Sequence, residues 1–180
     1  MSISFRDFWT IVHGMGLGAV FLLAYAGGLA SLWSLRPEWV TSAGIRERVR
    51  RMVVGTWVMA IVGWAAVITG TYLVYPWYRA PAPQGAARDL LAAQFPRNFL
   101  LSSADTALWH TFGMEWKEHV AWLTPIIATS VAFIVTRYGG RIGQMPQVRN
   151  ALVVLFTMAF FAAAAAGLFG AFINKVAPTK

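Results

Sequence analysis

Residues 151–173, ALVVLFTMAFFAAAAAGLFGAFI, contain no charged side chain and no proline, so an α-helix can run through the whole stretch. A helix needs about 20 apolar residues to cross a hydrocarbon core of roughly 30 Å, and this stretch is long enough. Similar apolar runs lie at 8–35, 52–75 and 117–136, none with an acid or a base in its middle third. The sequence therefore predicts an all-α integral membrane protein, with four transmembrane helices in an up-down bundle that forms one membrane domain over residues 1–180.

The composition agrees with a membrane protein. Of the 180 residues, 58% are hydrophobic and 12% are charged, whereas about a quarter of the residues in soluble domains are charged. There is no cysteine, which excludes disulfides, iron–sulfur clusters, thiolate ligation of haem and covalent c-type haem. The formal charge of +8 lies mostly in short loops between the apolar runs, where it indicates topology and not nucleic-acid binding.

The basic residues of the short loops predict the orientation. The connection 36–51 contains five arginines and two glutamates, and the connection after the third helix contains three arginines and no acid. The positive-inside rule places both connections in the cytoplasm. Both termini and the loop 76–116 are then expected outside, in a bacterial inner membrane. The first apolar run, about 26 residues, exceeds the apolar core of a signal peptide and is expected to remain as a helix.

The loop 76–116 is too long to be a simple turn. Three prolines near its start oppose regular helix there. Residues 84–95 can form a short helix before the next proline, and Ser103 can cap a second helix that leads to His110. Both short helices are expected to lie flat at the outer interface. Gly113 is expected to separate the second one from the third transmembrane helix.

Small residues recur four apart toward the outer ends of three helices. The pairs are Gly14 with Gly18, Ala66 with Gly70, Ala163 with Gly167, and Ala166 with Gly170. This spacing lets helix backbones approach closely in a membrane, so tight packing is the simpler interpretation. The missing side chains at Gly14 and Gly70 also leave room, at one depth, for a flat ligand such as a porphyrin.

Two histidines lie near the starts of helices that are expected to begin on the same face. His13 follows the start of the first helix, and His119 starts the third. These helices are diagonal neighbours in an up-down bundle, so the two imidazoles can face each other as the axial ligands of a b-type haem. We therefore expect one haem b near the outer face, lined by the two glycines. Its propionates would pair with basic residues such as Arg79 and Lys117.

The layout of four helices with histidines on the first and third resembles small membrane b-type cytochromes in architecture. This resemblance implies an electron-transfer protein or subunit rather than a stand-alone enzyme. It would exchange electrons with a periplasmic carrier or a quinol. No histidine lies near the cytoplasmic ends of the predicted helices, so one bis-histidine haem would serve transfer along the outer face.

Other interpretations stay open. A histidine near a membrane interface can simply hydrogen-bond a carbonyl group or water. A copper or zinc site, or a quinone site, can also form at the outer face from His110, Met114 and Glu115 together with His119, because imidazole and thioether groups suit copper. The chain can instead be a cofactor-free scaffold or accessory subunit of a respiratory or photosynthetic complex, with its small and aromatic residues against partner helices and lipid.

Overall fold

The computed structural model describes residues 3–39 and 41–177, and within these two ranges the regular structure is helical, without a strand. Four helical spans are long and apolar enough to cross a membrane. They are span 1, Phe5–Trp33; span 2, Gly44–Tyr78; span 3, Ala104–Gln144; and span 4, Pro146–Val176. The prediction of a helical chain with four helices of membrane-crossing length is confirmed.

Span 3 begins earlier than predicted. The α-helix Ala104–Leu108 continues into a π-helical segment, Trp109–Met114, which leads directly into the α-helix Glu115–Val120. The expectation that Gly113 separates a surface helix from span 3 is therefore wrong. A Cβ atom on Gly113 would lie 3.4 Å from the ring of Phe169 in span 4, so this glycine permits close packing and does not interrupt the helix.

Span 2 extends past its predicted end at residue 75. It passes through a second π-helical segment, Gly70–Val74, and ends with the short α-helix Tyr75–Tyr78. Pro76 is tolerated because it lies in the first turn of this short helix, where the missing N–H is least costly.

The connection between spans 2 and 3 contains two short helices, Arg88–Gln94 and Pro96–Leu101. The first lies inside the helix predicted at 84–95. Pro96 ends the first helix and also starts the second, because its fixed φ and missing N–H suit the first position of a helix.

The chain forms two compact units. Unit 1 comprises the described residues 3–18, 65–121 and 164–177, and unit 2 comprises 19–64 and 122–163 without residue 40. Each unit has its own buried apolar cluster. The cluster of unit 1 consists of Tyr78, Leu100, Met114, Ile173 and Ala177. The larger cluster of unit 2 includes Phe21, Leu32, Met52, Met59 and Phe156.

Within unit 2, the backbones of spans 1 and 2 make a close contact. A Cβ atom on Gly55 would lie 3.0 Å from both the Cα and the N atom of Gly28, so the contact requires glycine at this position. Spans 3 and 4 are joined in the same unit by the hydroxyl of Thr124, which donates a hydrogen bond of 3.0 Å to the carbonyl of Ala159.

The small-residue pairs singled out in the sequence do not make such backbone contacts. Gly14, Gly18 and Gly167 face open space, with nothing within 4 Å of an added Cβ atom. Gly70 and Gly170 each face a polar side chain of unit 1. The expectation of tight backbone packing at these glycines is therefore wrong. Next to each of them lies either open space or a side chain, and not the backbone of another helix.

Candidate functional site

Unit 1 contains three π-helical segments, one each on spans 1, 2 and 3: Val12–Gly16, Gly70–Val74 and Trp109–Met114. The π-helix accounts for well under about 1% of residues in soluble proteins and is frequent at functional sites. These segments hold two of the three histidines of the chain, His13 and His110. The irregular helix geometry therefore coincides with residues that are capable of chemistry.

His13 packs against span 2. Its Cε1 atom is 2.8 Å from the position of a Cβ atom on Gly70, so the ring itself fills the room that was expected for a flat ligand at this glycine. Its Nδ1 atom is 3.1 Å from the hydroxyl oxygen of Thr69. That hydroxyl donates its one hydrogen to the carbonyl of Ala65 at 2.7 Å, so it accepts a hydrogen bond from Nδ1–H. Nδ1 therefore carries a proton, and in the neutral ring Nε2 is the unprotonated nitrogen, the form that binds metals.

Lys117 is partly buried and close enough to His13 to interact with it electrostatically. Its Nζ atom is 2.6 Å from the position of a Cβ atom on Gly170. The missing side chain of Gly170 therefore leaves space for the ammonium group, just as Gly70 leaves space for the imidazole. Among residues 3–39 and 41–177, no carboxylate forms a salt bridge with Lys117. A partly buried cation without a protein counter-ion favours an anionic group at this position.

His119 has different surroundings. Its side chain is 73% exposed, and its Nδ1 atom donates to the carbonyl of Glu115 at 2.8 Å. Because a carbonyl can only accept, Nδ1 carries the proton and Nε2 is free in the neutral ring. The predicted ligands His13 and His119 therefore both have Nδ1 in a hydrogen bond. Nε2 of His13 lies 3.3 Å from the position of a Cβ atom on Gly70, whereas the ring of His119 is exposed.

His110 is buried in unit 1, and the expectation that it lies on a surface helix separate from span 3 is wrong. Its side chain is 6% exposed, and its Nδ1 atom is 2.9 Å from the hydroxyl of Tyr78. Met114 belongs to the apolar cluster of the same unit, whereas Glu115 lies 3.9 Å from the ring of His119. Of the predicted copper or zinc ligands, Glu115 and His119 thus lie together, whereas His110 bonds to Tyr78 and Met114 packs in the apolar cluster. In the part of the chain that the structure describes, no three His, Asp or Glu side chains are grouped to hold a metal ion.

We expect Tyr78→Phe to destabilise the protein by about 1–3 kcal/mol, because the buried imidazole of His110 loses its hydrogen-bond partner. Tyr72→Phe is the matched control, since Tyr72 is 68% exposed. Thermal unfolding in detergent, followed by circular dichroism, measures both variants. Equal melting temperatures would show that the buried hydrogen bond does not stabilise the fold.

Unit 1 also has buried polar atoms that form no hydrogen bond. Two of them are the hydroxyl of Tyr75 and Oε1 of Glu118, whose side chains lie within hydrogen-bonding reach of each other but without the geometry of a well-oriented bond. Further such atoms belong to Trp9, Arg97, Asn98 and Trp116. Buried polar atoms normally have partners, so this cluster favours bound water or a polar ligand in unit 1.

The other residues predicted for the cofactor site, Gly14 and Arg79, are exposed. The guanidinium carbon of Arg79 lies 5.1 Å from the centroid of the Tyr75 ring, where it makes a cation–π contact. The structure brings together three of the predicted residues: His13, Gly70 and Lys117. The sequence interpretation missed the roles of Thr69 and Gly170, which only the packing of the helices defines.

Comparisons of the chain with protein families, with curated proteins and with solved structures find no match. The functional interpretation therefore depends on the residues of unit 1.

Proposed function

We propose that the chain is a membrane electron-transfer protein, a b-type cytochrome or a cytochrome-like subunit, in which unit 1 binds one haem b. The four spans then form an up-down bundle in a bacterial inner membrane, with both termini on the outer side. The electron partners are a periplasmic carrier or a quinol. Exposed apolar side chains on the four spans contact lipid and partner subunits.

The observation that carries this proposal is that the His13 ring, held by Thr69 and packed against Gly70, is close enough to Lys117 for their charges to interact. In the neutral ring the hydrogen bond to Thr69 leaves Nε2 unprotonated, and the Lys117 ammonium has no carboxylate in a salt bridge within the described ranges. Haem requires both features from a protein, a neutral imidazole for the iron and cations for the propionates. A histidine with only a structural role would need no cation without a counter-ion in its surroundings.

The residues of this chain would divide the work as follows. When bound, haem supplies reversible one-electron transfer. His13 would bind the iron through Nε2, and Thr69 would hold the ring in the required tautomer and orientation. Lys117 would pair with a propionate. His119 would be the second ligand, through the Nε2 atom that the hydrogen bond of Nδ1–H to the carbonyl of Glu115 leaves available.

Extraction of the purified protein tests the proposal. The chain is produced in cells with an ample haem supply, purified in detergent and extracted with organic solvent, and haem and quinone are quantified by chromatography. We expect haem b in an amount that matches the protein. Protein that retains no haem contradicts the proposal, and a stable complex without any cofactor in this chain is the result expected of a scaffold subunit.

A quinone is the second candidate ligand of unit 1, and the neighbouring Tyr75 and Glu118 side chains favour it. A phenol can donate a hydrogen bond to a quinone oxygen, and a carboxylate can accept the proton that a quinol releases. The hydroxyl of Tyr75 and Oε1 of Glu118 are both buried and near each other, and neither forms a well-oriented hydrogen bond.

If quinone is bound there, we expect Tyr75→Phe and Glu118→Gln each to lower quinone retention by about tenfold or more. A hydrogen bond involving a charged group contributes about 1.5–3 kcal/mol, which corresponds to that change in binding. Quinone extraction measures the effect, with Tyr72→Phe as the control. Unchanged quinone retention in both variants excludes this pair as the quinone site.

A further inference from the structure

Unit 2 contains a groove that the proposed function does not use. It is an open cavity of about 430 Å³ between spans 1 and 2, which is within the size range of ordinary small-molecule sites. Its apolar lining comes from Leu23, Ala24, Gly27, Ala30, Val54 and Gly55. Its polar lining comes from Ser31, Arg50 and Arg51.

The glycines of spans 1 and 2 explain why the groove is there. Gly28 and Gly55 bring the two backbones together. The adjacent Gly27 has nothing within 4 Å of an added Cβ atom, so the groove is open beside the contact. Leu23 and Val54, which are 73% and 55% exposed, contribute apolar side chains to its rim.

Positive charge lies at the polar part of the groove. The side chains of Arg50 and Arg51 are 77% and 70% exposed, and both pair with Glu47, at 3.6 Å and 2.8 Å. Two cations share one carboxylate, so a net positive charge remains. The hydroxyl of Ser31 donates to the carbonyl of Gly27 and leaves its oxygen as an acceptor only.

We propose that this groove binds an anionic phospholipid, with an acyl chain between spans 1 and 2 and the phosphate at Arg50 and Arg51. An acyl chain suits an apolar groove that is open along a membrane-crossing helix. A phosphate suits the guanidinium groups, which can form two parallel hydrogen bonds to it. Basic residues beside a membrane helix attract anionic lipid headgroups, and the charge of the two arginines therefore selects this class of lipid. The proposal does not depend on haem binding in unit 1.

Native mass spectrometry of the detergent-purified protein tests the charge preference. The protein is titrated with phosphatidylglycerol and with phosphatidylcholine of identical acyl chains. We expect phosphatidylglycerol to bind at least about fivefold more tightly, since each basic residue near a headgroup contributes about that factor. Arg50→Gln/Arg51→Gln should lose the preference. Arg137→Gln/Arg141→Gln, with the same charge change at exposed residues outside the groove, should keep it.

Three further variants complete the test: Gly27→Leu and its control Gly18→Leu probe the cavity, and Glu47→Gln probes the charge. Gly27→Leu fills the cavity and should lower binding of both lipids, whereas Gly18→Leu, at another open glycine, should not. Glu47→Gln releases both arginines and should strengthen phosphatidylglycerol binding. Any one of three results would overturn the proposal. The wild type could bind the two lipids equally, the two double variants could lose the same amount of phosphatidylglycerol binding, or Gly27→Leu could bind lipid as the wild type does. Circular dichroism confirms that each variant is folded.

Discussion

Replacing His13 by alanine is expected to lower the haem content of the purified protein by at least about tenfold. Even residues that only orient a metal ligand change metal affinity by about 10–100-fold, and His13 is proposed as the ligand itself. Its ring sits against Gly70 and is held there by Thr69, and alanine has no group that can take the place of the imidazole on the iron. The ratio of Soret absorbance to protein absorbance measures the effect.

A chemical rescue separates ligation from a structural role. Exogenous imidazole should restore haem binding to His13→Ala, because it can occupy the space left by the ring, whereas it cannot repair a general folding defect. The same haem content in His13→Ala and wild type would exclude this residue as a ligand.

Thr69 acts on the same site through His13. Thr69→Val removes the acceptor for Nδ1–H and should weaken haem retention by about 10–100-fold. Thr69→Ser should retain haem like the wild type, because the hydroxyl is kept.

Gly70→Ala should also weaken haem retention, because an added Cβ atom would lie 2.8 Å from Cε1 of His13 and displace the ring. Gly167→Ala is the control, at a glycine with open space around it.

Gly55→Ala is expected to lower the free energy of unfolding by about 1–3 kcal/mol, the usual cost of forcing an extra group into packed structure. The new Cβ atom would meet the Cα and N atoms of Gly28 at 3.0 Å and the carbonyl oxygen of Ala24 at 3.4 Å. These are backbone atoms, so no side-chain rotation relieves the contact, and spans 1 and 2 must separate locally.

The control for this variant is Gly18→Ala on span 1, where an added Cβ atom has nothing within 4 Å. Alanine favours a helix over glycine by about 1 kcal/mol, so Gly18→Ala should be neutral or slightly stabilising. Thermal unfolding in the same detergent compares the two variants. If Gly55→Ala is as stable as Gly18→Ala, the close contact of Gly28 and Gly55 does not stabilise the fold.

The number of helices that are long and apolar enough to cross a membrane could be predicted, because apolar length is a local property of the sequence. The residue at which span 3 begins could not be predicted in this way. Gly113 suggests a break when it is considered alone, yet in the fold it lies within a π-helical segment and faces Phe169. A π-helical segment depends on the tertiary packing around it, and no sequence pattern in Trp109–Met114 indicates one.

The candidate site was predicted only in part, for a similar reason. His13, Gly70 and Lys117 were identified by residue type and depth, which the sequence records. The roles of Thr69 and Gly170 depend on how the helices are rotated about their axes, and this rotation is determined by packing. The same rotation leaves His119 exposed and buries His110 against Tyr78, the reverse of what their positions along the sequence suggested.

The reduced-minus-oxidised visible spectrum of the wild-type protein, purified from cells with an ample haem supply, tests the central proposal most directly. We predict reversible α and Soret bands of a six-coordinate b-type haem, which are lost in His13→Ala. A featureless difference spectrum from folded wild-type protein would contradict haem binding in unit 1.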